Sequence, residues 1–281
     1  MMGLTPVAAK EGGMTRLAGR KKPIMLFRAK QPERVKMKKY ALVLILASFA
    51  GMAFAQFSLD LETGLAFFGY NDMRIPNLES GRILSFTDEL ESKPKMFGRA
   101  NLHYQITPRH EISLLASPFT IEPSGEPSAA VEFMGRTYAA REWIYAVYKF
   151  NSYRLQYLYR FEKRNIGIRA LGVSLKVRDA LISLENKSAG YTEKTDLGVV
   201  PLIGFEFGYD LSEELALLLK GEALASPYGR AEDILLALVY DLNGTYSLYA
   251  GYRFLEGGSD IEEVYTFANI NYLSLGTRIN F

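Results

Sequence analysis

The side chains able to do chemistry are few. The chain has two histidines, His103 and His110, and no cysteine. A histidine acts as a base only with a nucleophile or an acid within hydrogen-bond reach. Neither sits near a Gly-x-Ser-x-Gly elbow, a Gly-rich phosphate loop or a His/Asp/Glu metal spacing. The adjacent acids Glu232-Asp233 and Glu262-Glu263 could support carboxylate acid-base work, but such pairs in polar stretches are ordinarily solvated surface. Without cysteine there is no thiolate nucleophile, disulfide framework, thiolate metal site or lipid-modified N-terminal cysteine. The residues therefore predict no catalytic set, no metal and no cofactor.

Charge is divided unevenly along the chain. Residues 1–55 hold 11 Lys or Arg and 2 acids, which leaves 22 basic against 29 acidic residues from Gln56 onward. The apparent basicity of the whole chain belongs to its leader, and no nucleic-acid partner is expected. Met37-Lys38-Lys39 begins a positively charged n-region, Ala41 to Phe49 form a short apolar h-region, and Ala53-Phe54-Ala55 supplies small residues around a cleavage site. The apolar stretch is shorter than the roughly 20 residues of a spanning helix. Residues 37–55 are thus read as a signal peptide cut between Ala55 and Gln56, and residues 1–36 as an extension translated from upstream of a start at Met37.

From Gln56 to Phe281 the dominant signal is alternation of period two, which reads as strands. In the last segment Leu273, Leu275, Thr277, Ile279 and Phe281 point one way, and Ser274, Gly276, Arg278 and Asn280 the other. The same alternation sets Tyr246, Leu248, Ala250 and Tyr252 against Ser247, Tyr249, Gly251 and Arg253, and Leu155, Tyr157 and Tyr159 against Arg154, Gln156 and Arg160. Ten strands are predicted: 57–69, 97–106, 111–119, 150–161, 165–185, 198–209, 214–225, 234–241, 245–254 and 267–281. A hairpin within Ala129–Tyr148 would make twelve. The parity change between Arg169 and Lys176 predicts a bulge near Gly172.

A soluble sandwich would show the same alternation with its apolar face inward. The connections favour a membrane barrel, because they alternate between short and long. Short ones fall at 107–110, 162–165, 210–213 and 241–244. Long ones fall at 70–96, 120–149, 186–197, 226–233 and 255–266. The 35 Tyr and Phe residues suit strands whose flanks meet lipid and whose ends meet water. The expected fold is all-β, an antiparallel up-and-down transmembrane barrel over residues 56–281, with lipid and lipopolysaccharide around it. The strand ending in Phe281 is the expected signal for the barrel-assembly machinery. Oligomeric state is left open.

On this parity the interior holds a mixed charge network of Asp60, Glu62, Arg99, His103, Glu111, Arg154, Arg160, Lys176, Glu206, Lys220 and Arg278. Confined charges of both signs should pair. At the outer mouth Arg178, Asp179, Glu222, Arg230, Glu232, Asp233, Arg253 and Glu256 are expected to converge, as a ligand site or as a salt-bridged lid.

The leader, the alternation and the terminal Phe resemble the small outer-membrane barrels of the OmpX, OmpW and PagP types. The blocks Val177-Arg178-Asp179-Ala180, Tyr228 to Asp233, Ala250 to Gly258 and Glu263-Val264-Tyr265 resemble a further ten-stranded outer-membrane barrel family. That resemblance implies the fold and marks the mouth residues, without implying an activity. The ten-strand count is also that of the omptin proteases, yet both histidines of this chain fall at the predicted periplasmic end. The expected role is structural or interactive, with a small polar ligand at the extracellular mouth. The alternatives are a narrow diffusion channel, a surface enzyme acting on lipid or peptide, and a soluble periplasmic β-protein.

Overall fold

The computed structural model describes residues 56–281. The expected signal peptide, its cleavage site after Ala55 and the extension at 1–36 lie outside the described residues. Ten long strands form the wall: β1 (Phe57–Arg74), β2 (Lys95–Thr107), β3 (His110–Ser117), β4 (Ile144–Arg160), β5 (Ile166–Asn186), β6 (Gly190–Asp210), β7 (Leu215–Ser226), β8 (Gly229–Asp241), β9 (Tyr246–Ile261) and β10 (Val264–Asn280). Each pairs antiparallel with its sequence neighbour, and β1 closes the circle on β10 through a ladder from Ser58↔Asn280 to Arg74↔Tyr265. This is a closed up-and-down barrel of ten strands.

The two faces of the wall obey the pleat. Leu275 is 61% exposed, while its chain neighbour Ser274 is 2% exposed. Every strand contributes at least one exposed apolar residue, among them Leu65, Leu102, Leu114, Leu155, Leu175, Ile203, Leu217, Leu236, Leu248 and Leu275. A continuous apolar girdle around a closed sheet is a surface for hydrocarbon. Short turns close one end. At Asp241–Thr245 the Asp241 carboxylate accepts from the N–H groups of Asn243 and Gly244, and Gly244 takes the positive φ of 77° that the tight reversal requires.

Three expectations about the strands and their connections need correction. The stretches 186–197, 226–233 and 255–266 are mostly strand, and their reversals occupy only the residues between β5 and β6, β7 and β8, and β9 and β10. Above a membrane a strand stays paired whether its side chains are polar or apolar, so polarity did not mark its end. The bulge expected near Gly172 lies at Arg169, where the β5–β6 register shifts between Ile168 and Ala170. Arg169 and Ala170 both turn inward there, and Arg169 reaches Asp210 at 2.9 Å. The segment 129–148 does form a hairpin, Val131–Phe133 with Arg136–Tyr138, but it is a separate two-stranded sheet outside the wall.

The hairpins rise to unequal heights. The β6–β7 ladder ends at Ile203↔Ala223, whereas β6 continues to Gly190 beside β5 alone. Pro201, with no N–H to donate, stands just past the last paired residue. The wall is therefore split between β6 and β7 at its outer end.

A charge on the apolar girdle must cost stability according to depth. Leu275→Arg should destabilise the barrel by about 2–4 kcal/mol, and Tyr246→Arg at the turn end by about 1 kcal/mol or less. Urea titration of the protein refolded into phospholipid vesicles measures both, and equal costs would contradict the girdle.

Candidate functional site

The interior is built in two layers. The inner layer, towards the short turns, is an ion-pair lattice. Asp233 accepts from three guanidinium groups: Arg99 at 3.0 Å, Arg154 at 2.6 Å and Arg253 at 2.5 Å. Glu62 takes two further bonds from Arg253, at 2.8 and 2.6 Å, and one from the Ser274 hydroxyl at 2.8 Å. Glu222 receives Arg154 and the Gln156 amide. Nearer the turns, Asp60 meets Lys220 at 2.9 Å, Arg278 at 3.6 Å and the Tyr249 hydroxyl at 2.7 Å. Glu111 is held in a fork by Arg160 at 2.6 and 3.0 Å, and Arg160 extends to Glu206 at 3.4 Å. Confined charges have few waters to solvate them, so each carboxylate gathers several donors.

His103 belongs to this lattice. Its Nδ1 lies 2.8 Å from Glu111, and its Nε2 has no hydrogen-bond partner among the described residues. The carboxylate–imidazole pair is the orienting half of a catalytic triad. Two serines stand opposite His103 in the flanking ladders, Ser58 and Ser113, and Ser113 donates to Gln156 at 3.4 Å. Arg99 Nη1 and Asn101 Oδ1 are likewise unpartnered and line the same cavity of about 80 Å³, large enough to admit water. His110, nearer the same turn, is half-buried and bonds the Tyr157 hydroxyl at 2.7 Å.

The outer layer is apolar. The segments 75–94 and 118–143 fold back into the barrel mouth, where Leu84, Phe86 and Leu90 from the first and Val131, Phe133 and Tyr138 from the second are at most 1% exposed. They pack against wall residues Met73, Ile144, Tyr148, Leu184, Ile270 and Tyr272. Of the six plug residues just named only Tyr138 carries a polar side-chain group, and its hydroxyl donates to the Leu184 carbonyl at 2.8 Å. The plug was not anticipated. The signal available was the apolar set Leu84, Phe86 and Leu90 inside a stretch otherwise read as loop.

The residues expected at the mouth do not meet as one cluster. Glu222, Asp233 and Arg253 are in the buried lattice below the plug. Arg230 and Glu232 share strand parity with the exposed Leu236, on the barrel's outside. There Arg230 bonds Glu256, which also accepts from the Tyr70 hydroxyl, and it stands over the Phe267 ring at 5.1 Å. Asp179 also faces out, paired with Lys149 at 2.7 Å and Asn151 at 3.0 Å. The reason is the pleat: once 229–233 is strand, Glu232 and Asp233 must point to opposite faces. Arg178 alone of this set stands inside the mouth, paired with Asp196.

Lys176, expected in the lattice, forms no ion pair there. Its ammonium stands 4.6 Å from the Phe150 ring centroid. Phe150 in turn lines a second cavity, of about 170 Å³, between the β5–β6 and β9–β10 hairpins at the outer end. Tyr148, Ile182 and Val264 share its apolar lining, with Arg178, Lys194 and Asp196 at its edge.

No family model matches the chain, and no curated protein matches it. Among solved structures it is similar to the outer membrane protease OmpT from Escherichia coli, at 10% identity and a TM-score of 0.50, covering 80% of this chain and 97% of that one. It is also similar to the translocator domain of the autotransporter NalP from Neisseria meningitidis, at 11% identity and a TM-score of 0.44, covering 88% and 96%. With a closed ten-strand sheet and an apolar girdle, this chain has the fold of the small outer-membrane β-barrels. At such identities the likeness extends to the fold and no further.

The lattice also sets a stability prediction. Asp233→Ala leaves three buried guanidinium groups without their shared partner and should cost about 3–5 kcal/mol. Glu162→Ala, which removes an exposed partner of Arg109, should cost about 1 kcal/mol or less. Chemical unfolding in vesicles compares the two, and similar losses would contradict a lattice that holds the wall.

Proposed function

We propose that this barrel is a non-conducting outer-membrane scaffold whose working surface is its extracellular mouth, where it holds a small ligand. The observation that carries the reading is the apolar plug. Leu84, Phe86, Leu90, Val131, Phe133 and Tyr138 fill the outer half of the lumen, and the ion-pair lattice occupies the half below. Solute crossing the barrel would have to displace a packed core and then part a lattice in which Asp233 alone has three cationic partners. A narrow diffusion channel is disfavoured on that ground.

The cavity beside the plug combines apolar depth with a few polar groups at its edge, the composition of small-molecule sites. Catalysis has less support. His103 faces the cavity of the inner layer and lacks a nucleophile in contact, and the mouth contains no histidine.

Purified protein in planar lipid bilayers should show no conductance steps above background across the usual voltage range. Stepwise openings from the folded wild-type protein would overturn the scaffold reading in favour of the channel.

A further inference from the structure

The chemical character of the mouth cavity can be read from its walls. Its depth is aromatic and aliphatic: Tyr148, Phe150, Ile182 and Val264. Its volume of about 170 Å³ suits a ligand of fused-ring size rather than an ion or a sugar chain. At its edge two cations, Arg178 and Lys194, stand against two acids, Asp196 and Glu263, but the pairing leaves cationic N–H donors without acceptors. Asp196 is committed to Arg178 Nη2, and the Arg178 Nε is buried with no hydrogen-bond partner among the described residues. Lys194 lines the cavity and has no carboxylate within ion-pair distance among the described residues, and Glu263 is the only other acid in the lining. Behind Phe150 stands Lys176, whose amine has no carboxylate partner among the described residues. An orphaned guanidinium N–H and an unpaired ammonium beside an apolar floor are complementary to an anionic group carried on a flat apolar body.

Access follows from the unequal hairpins. Lys194 and Asp196 sit on the part of β6 that has no β7 partner, and the β7–β8 hairpin stops at Ser226–Gly229. The cavity is thus bounded on that side by a split in the wall rather than by a strand.

We propose that the mouth cavity binds small anionic amphiphiles, with Arg178 and Lys194 receiving a carboxylate and Phe150, Tyr148 and Val264 holding an aromatic or short aliphatic body. This deepens the reading of the mouth as a ligand site and rests on it. The ligand enters headgroup outermost, so that its carboxylate lies at the edge between Arg178 and Lys194 and its apolar part lies over the Phe150 ring. Cations and neutral analogues of the same body are discriminated against at the edge and not at the floor.

The test uses three soluble probes with one ring system, 2-naphthoate, 2-naphthalenemethanol and 2-naphthylmethylamine, titrated calorimetrically into the full barrel in amphipol. Expected is saturable binding of 2-naphthoate, at least tenfold tighter than the alcohol, with the amine weakest. Arg178→Gln and Lys194→Gln should each weaken 2-naphthoate about tenfold and leave the alcohol unchanged, and Arg178→Lys should restore part of the loss. Ala180→Trp, which fills the cavity, should abolish binding of all three. Retention of the heat-dependent gel shift typical of folded barrels certifies each variant, and Arg178→Gln carries the test if the tryptophan variant does not fold. Equal affinity for the three probes, lost in Ala180→Trp, would overturn the anionic preference while keeping a mouth site. Absence of binding by every probe to the wild-type barrel would overturn both.

Discussion

A backbone N–H or C=O without a partner costs several kcal/mol in hydrocarbon, and the whole molecule is arranged around that cost. A sheet placed in lipid must close, so β1 returns to β10 and no strand edge remains within the girdle. Closure divides side chains into two populations by parity alone. One population meets lipid and must be apolar. The other is confined to an axis too narrow for bulk water, and there every charge must find an opposite charge or a hydrogen-bond partner.

The interior solves that problem twice, by different chemistry at different depths. Near the short turns, acids and bases from β1 to β10 interlock, with Asp233, Glu62 and Glu111 as the shared acceptors. Near the mouth, where two long segments are available to fold inward, hydrophobic packing replaces charge pairing. The two layers brace the wall from within and leave the openings at the rim. Since the sheet need not be continuous above the membrane, the split beside β6 is tolerated there and would not be within the girdle. The freedom to bind lies where the constraint of lipid ends.

The wall was legible in the sequence because a period of two is a direct record of two environments. Leu273, Ser274 and Leu275 could be assigned to faces without any knowledge of their neighbours, and so could Arg154 beside Leu155. Position along the strand was less legible than face. Arg230 and Asp233 read as neighbours at the mouth because a polar run resembles a loop, yet paired strand accepts polar residues on both faces in water. The bulge was misplaced by a few residues because parity change is spread over Arg169 to Lys176, while the register shift itself is local to Arg169. The plug and the mouth cavity depend on remote segments meeting, as Tyr138 bonds Leu184 and as Lys194 and the β9–β10 hairpin line one cavity, and no local pattern records that. The OmpT likeness, limited to fold at its identity, leaves the site to be argued from these residues alone.

The most direct measurement of the central claim is a nitroxide scan of positions 271 to 278 in the barrel reconstituted in vesicles, reading collision rates with oxygen and with a water-soluble nickel chelate. The account predicts that labels at Leu273 and Leu275 collide freely with oxygen dissolved in lipid, while labels at Ser274 and Gly276 are shielded from it, in strict alternation. Loss of that alternation, or apolar positions shielded from lipid while Ser274 is exposed to it, would contradict the account.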